Sequence, residues 1–171
     1  MESRSREELL EKAYQLGFHY EKTYHGCAQC ILAVVQDLFG IEEAVFKAAS
    51  ALSAGMCVTG EGPCGALSGG LLALGYYHGR DREHFAELVL SREAASLGRA
   101  FRQRFIDEYG SYICWDIQKK VFGRSFNLLD KEDRAAFEAA GGHDQKCPEV
   151  VGKAARWLTE ILLEEREKEK L

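Results

Sequence analysis

The chain has 171 residues, 27 acidic and 22 basic, for a formal charge of −5, and 46% of it is apolar. At this length a single domain over residues 1–171 with a genuine core is expected, and bulk disorder is excluded. The acidic balance argues against nucleic-acid binding. No membrane span is expected either, because the charge-free stretch Gly62–Tyr77 is short and glycine-rich whereas a span needs roughly 20 apolar residues.

Apolar spacing predicts helices almost throughout. Met1–Glu8 leads into no apolar segment, so no secretory signal is expected and a reducing cytoplasm is the default location. Ser5 with Glu8 forms a capping-box pattern ahead of Leu9, Leu10, Ala13, Leu16, Gly17 and Tyr20. Cys27, Cys30, Ile31, Val34, Val35 and Leu38 line one face of a second helix, stopped by Gly40. A third helix is expected over Glu42–Leu52, then a glycine-rich loop over Gly55–Gly62, with a short strand at Met56–Thr59 as the one β alternative. Pro63 suits the first turn of a helix reaching about Tyr76, whose small residues would admit a neighbouring backbone. Asp81 would cap a long helix to Glu108 carrying Phe85, Leu88, Val89, Ala95, Phe101 and Phe105. Short helices at Tyr112–Phe122 and Lys131–Ala140 end at Gly123 and Gly141. A last helix runs from Pro148 into a solvated charged end at 164–171, and Trp115 and Trp157 are expected in the core. The fold class is an all-α, single compact multi-helix bundle.

The six cysteines are too few for a disulfide scaffold, and stable disulfides are rare in a reducing compartment. Their placement is informative. Cys27, Cys30, Cys64, Cys114 and Cys147 fall at predicted helix N-termini, and Cys57 lies in the glycine-rich loop. A helix start favours negative charge and can depress a thiol pKa, and the thiolate is both the nucleophile and the metal ligand. Cys27-Ala-Gln-Cys30 sets two sulfurs on one helical face, as a redox dithiol or half of a zinc site requires. The plainer reading continues the apolar stripe into the core. Ile31 follows Cys30 where a haem attachment site needs histidine, which excludes c-type haem, and there is no second C-x2-C. Gly60–Gly65 spells G-x-G-x-x-G, but no strand precedes it, so a dinucleotide site is not expected. His25 and His143 adjoin cysteine-bearing helix starts and are candidate ligands or proton partners, although most such histidines are solvated.

Four segments in order carry a family resemblance: Gly26-Cys27-Ala28-Gln29, Cys64-Gly65-Ala66-Leu67-Ser68-Gly69, Ser111-Tyr112-Ile113-Cys114, and Lys146-Cys147-Pro148-Glu149. Over about residues 10–160 the chain resembles the redox-active proteins named for their C_GCAxxG_C_C cysteine pattern. The resemblance marks Cys27, Cys64, Cys114 and Cys147 as the redox residues and metal ligands, with Cys30 and Cys57 as neighbours that could add to a cofactor site. It implies a small cytoplasmic redox protein active in electron transfer. Its gathered cysteines would bind an iron–sulfur or other thiophilic metal centre, or cycle between dithiol and disulfide. Similar domains accompany oxidoreductases and haem-bearing split-Soret cytochromes, but no c-type haem carries over. One alternative is a thiol–disulfide oxidoreductase using Cys27/Cys30, with Cys30 or Cys64 resolving the mixed disulfide. The other is a non-catalytic interaction module with inert structural cysteines. A redox partner protein is implied, and the small-residue helix is compatible with a homodimer.

Overall fold

A computed structural model describes residues 5–87 and 92–168. Eight α-helices occur among them: α1 Arg6–Tyr24, α2 Cys27–Phe39, α3 Glu43–Ala48, α4 Gly65–His78, α5 Arg92–Tyr109, α6 Cys114–Phe122, α7 Lys131–Ala139 and α8 Cys147–Lys168. No strand is present among the described residues, so the fold is all-α. None of the described helices is long and apolar enough to cross a membrane.

Local chemistry sets the helix ends. Ser5 Oγ accepts from Glu8 N–H while the Glu8 carboxylate accepts from Ser5 N–H, the reciprocal capping box expected of α1. Gly40 closes α2, and Asp130 caps α7 by accepting from Asp133 N–H. The largest packing is α1 along α8. Helix α2 touches α1, α4 and α8, and α5 lies across α4. Ile31, Leu32, Val34, Val35, Leu67, Leu74, Phe101, Phe105, Val151 and Leu158 fill the core. Helix α4 can lie this close to α2 because Gly65 and Gly69 lack side chains. A Cβ on Gly65 would collide with Cys27 Sγ, and one on Gly69 with the Ala28 carbonyl.

Five local expectations are corrected. The third helix is shorter than Glu42–Leu52, becoming 3-10 over Ala49–Ala51. Pro63 stands before the helix, with Cys64 as the N-cap. The long helix from Asp81 is instead a 3-10 stretch at Arg82–Glu87 followed by α5, and Leu88 and Val89 lie outside the described residues. Met56–Thr59 is not a strand, because Ala54, Met56, Cys57 and Val58 hold left-handed φ between 49° and 67°. Trp157 packs on the core beside Phe105, as expected. Trp115 instead lies over Gly60 and donates to the Phe126 carbonyl at 3.1 Å, outside the main core.

Candidate functional site: a cysteine-lined cavity

The expected clustering of cysteines at helix starts holds. Cys27, Cys114 and Cys147 are the first residues of α2, α6 and α8, and Cys64 caps α4. All four line one cavity of about 50 Å³, together with Glu21, Gln118, His143 and apolar side chains that include Ile117, Phe137 and Val151. That volume is room for a few water molecules.

Two backbone features bring remote segments together. Pro63 and Ile113 form an isolated antiparallel bridge, with Cys64 N–H donating to the Tyr112 carbonyl at 2.8 Å and Cys114 N–H to the Gly62 carbonyl at 2.9 Å. Cys64 and Cys114 are thereby held on neighbouring strands of chain. The side-chain-free Gly65 lets Cys27 Sγ settle against the start of α4, beside Cys64. Ala54 lines the same cavity as Cys27. Cys147 arrives from a π-helical turn at Gly142–Lys146, the same turn that delivers His143. Gln118 is buried and donates to Cys114 Sγ at 3.7 Å, while its carbonyl oxygen accepts from Phe126 N–H at 2.8 Å.

Cys30 and Cys57 do not line this cavity. Three residues of helix turn a side chain by about 300°, so the Cys27 and Cys30 directions differ by about 60°. Cys30 donates to the His25 carbonyl at 3.1 Å and opens onto a separate surface pocket with Tyr20, Tyr24 and Phe46. Cys57 is exposed on the left-handed turn.

The electrostatics reverse one expectation. Helix starts were expected to depress thiol pKa values, but these thiols are pushed up. The neighbouring Cys64 thiol and then burial raise Cys27 well above its usual range. Burial raises Cys114 to about 12, and it is also the first cause of the upward shifts of Cys147 and Cys30. Removing a thiolate from water costs more here than a helix start returns.

Sequence reasoning missed Glu21. This carboxyl is 2% exposed, its Oε2 has no hydrogen-bond partner among the described residues, and burial lifts its pKa to about 7. A signal was available. Leu10, Ala13 and Gly17 form the buried stripe of α1, and four further residues along it lies Glu21, an acid on an apolar face. Glu21 Oε1 lies 3.9 Å from His143 Nε2, and His143 Nδ1 lies 2.7 Å from Glu138 Oε1. The His143 ring stacks on His25 with centroids 3.8 Å apart, and burial lowers the His143 pKa.

Fold and cavity together define an all-α protein in which four helix starts converge on one cysteine-lined pocket. A family model described as "Putative redox-active protein (C_GCAxxG_C_C)" matches residues 25–161, and the chain belongs to that family. The match begins after α1, later than the resemblance from about residue 10 had suggested, and leaves Glu21 outside it. No curated protein and no solved structure matches the chain.

Proposed function

We propose that the protein is a thiol redox protein whose working pair is Cys27 and Cys64, cycling between dithiol and disulfide in exchange with a partner disulfide. The observation that carries this reading is the placing of Cys27 and Cys64 side by side at one small cavity that Cys114 and Cys147 also line. In the oxidative direction the Cys27 sulfur attacks a disulfide RSSR, forming Cys27–S–SR and releasing RS⁻. Cys64 then displaces the second RS⁻ to close Cys27–S–S–Cys64. Two thiol protons and two electrons leave the protein, and two RSH form. The pairing differs from the Cys27/Cys30 alternative because Cys30 is not among the residues that line the cavity with Cys27 and Cys64. Cys114 and Cys147 form the second thiol set.

A thiophilic metal suits the donor atoms, since four sulfurs and an imidazole line the cavity. The spacing does not fit a single ion. Among the described residues, three metal-ligating atoms come within 4.8 Å of one another only at exposed Asp81, Glu83 and His84. Three cavity sulfurs would have to move together to hold one ion, whereas a disulfide needs only two of them to close.

The test is to purify the protein without oxygen, count its thiols, and measure iron, sulfide and zinc. Mild oxidation by a small disulfide should lower the count from six thiols to about four. Peptide mapping should locate the new bond at Cys27–Cys64. Cys64→Ser should stall at a mixed disulfide on Cys27. Stoichiometric iron with sulfide, or zinc lost together with the fold, would overturn the dithiol reading, as would oxidation that leaves Cys27 and Cys64 free.

A further inference from the structure

Buried thiols that react need somewhere inside the protein to put their protons. We infer that Glu21 accepts the thiol proton in the cavity and that His143 and Glu138 carry it to solvent, a role that rests on the dithiol reading above. Among the described residues Glu21 is the one carboxyl lining the cavity, and its Oε2 has no partner there. Leaving a buried polar atom unsatisfied is costly, so it persists where something offsets it. From Glu21 Oε1 the path runs 3.9 Å to His143 Nε2, a gap that one water or a small rotation closes, and then from His143 Nδ1 2.7 Å to Glu138 Oε1. The Glu138 side chain is 42% exposed, so the path ends in solvent.

The surroundings suit a relay. Stacking on His25 and the edge of Phe137 hold the imidazole in place. Burial favours the neutral ring, which accepts at one nitrogen while donating at the other. The groups facing Glu21 are Cys27 and Cys30 from α2, Cys114 from α6, Cys147 from α8 and His143 from the π turn. None of them carries a fixed positive charge, so nothing in the cavity locks the carboxyl as a permanent ion-pair partner. A carboxyl titrating near neutrality is matched to accepting and releasing a proton at ordinary pH.

The proton account closes with the chemistry. As Cys27 Sγ bonds to the incoming disulfide sulfur, its proton passes to Glu21, and RS⁻ leaves with the bond's electron pair. Glu21 returns the proton outward through His143 and Glu138, then receives the Cys64 proton as that sulfur closes the intramolecular disulfide. The two protons delivered to solvent match the two thiolates released, and the overall change is two protein thiols plus RSSR giving one protein disulfide plus two RSH.

The experiment uses the reduced full chain in a Cys57→Ser background, which removes the exposed thiol, with 5,5′-dithiobis(2-nitrobenzoate) as the probe disulfide. Formation of Cys27–Cys64 is followed by thiolate release and peptide mapping from pH 6 to 9. Glu21→Gln is expected to slow it by about tenfold or more at pH 7. The deficit should widen from pH 6 to 8 as the wild-type carboxyl ionises, and Glu21→Asp should recover part of the rate. His143→Gln should slow it as well while leaving the pH midpoint of Glu21 in place. A Glu21→Gln variant that keeps the wild-type rate across this range overturns the relay and leaves the dithiol reading standing. A wild type that forms no Cys27–Cys64 bond defeats the reading beneath it. Circular dichroism and thermal unfolding monitor the fold, and if Glu21→Gln does not fold, an unchanged rate in Glu21→Asp and His143→Gln together overturns the relay.

Discussion

Glu21 makes a stability prediction independent of any redox role. Its folded pKa of about 7 stands above the ordinary 4.5, with burial as the main cause and the Cys30 hydrogen bond opposing it. Below pH 4.5 both folded and unfolded chains hold the proton and nothing is lost. Between 4.5 and 7 the unfolded chain ionises first, so Glu21 makes the fold progressively less stable as pH rises. The loss levels off above pH 7 at on the order of 3 kcal/mol. Glu21→Gln should remove this slope, leaving a variant more stable than wild type at pH 8 and nearly equal to it at pH 4.5. Urea unfolding across that range measures it, and parallel pH curves for the two proteins would contradict the assignment. Cys27, Cys114 and Cys147 follow the same chemistry in another range: burial helps to hold them protonated, and their reactivity depends on what stands beside them.

At the scale of elements, the cavity is assembled by helix starts and by one strained turn. Ala54, Gly55, Met56, Cys57 and Val58 all hold left-handed φ, a conformation that costs L-residues roughly 1–2 kcal/mol each. The Thr59 hydroxyl, within 3.0 Å of both the Gly55 and Met56 carbonyls, holds the turn shut, and Ala54 at its start lines the cysteine cavity. Strain of this kind collects where a backbone group must be aimed. Val58 is β-branched, the type least suited to such a φ, and it is 39% exposed, so little packing opposes its replacement. Val58→Asn should therefore stabilise the protein by about 1 kcal/mol, roughly 2–4 °C in Tm for a chain of this size. Scanning calorimetry would show it, and an unchanged or lower Tm would mean the turn is not the strained element it resembles.

Across the whole molecule, α1 and α8 form the antiparallel frame that sets Glu21 opposite the cysteines. Arg6 pairs with Glu164 at 3.0 Å and with Glu167 at one end, and Lys22 pairs with Asp144 at 2.7 Å at the other. Exposed pairs of this kind contribute at most about 1 kcal/mol each, so packing sets the distance between the helices. Gly17 is the closest approach, since a Cβ there would stand 2.9 Å from Ala155 Cβ and 3.0 Å from the Val151 carbonyl oxygen. Alanine at this position would regain about 1 kcal/mol of helix propensity against that crowding. The larger Gly17→Val should push α1 from α8 and destabilise by about 1–3 kcal/mol. Thermal unfolding reads this out, and a variant as stable as wild type would show that the frame yields more easily than its spacing implies.

Much of this organisation was legible along the chain. The capping box of α1, the stripe of α2, the glycine stops and the placement of cysteines at helix starts are local, depending on side chains within a turn or two of one another. Those signals pointed to the all-α class and to five cysteines at helix starts, from which the family resemblance singled out Cys27, Cys64, Cys114 and Cys147. Which sulfurs share a space was not legible. That depends on the bridge between residues 62–64 and 112–114, on the room Gly65 leaves for Cys27, and on the π turn before α8. Each joins positions far apart in sequence, and no periodicity records it. The direction of the thiol pKa shifts was decided at the same level. A helix start acts within its own turn, whereas the burial that overrides it is supplied by every segment that closes over the cavity.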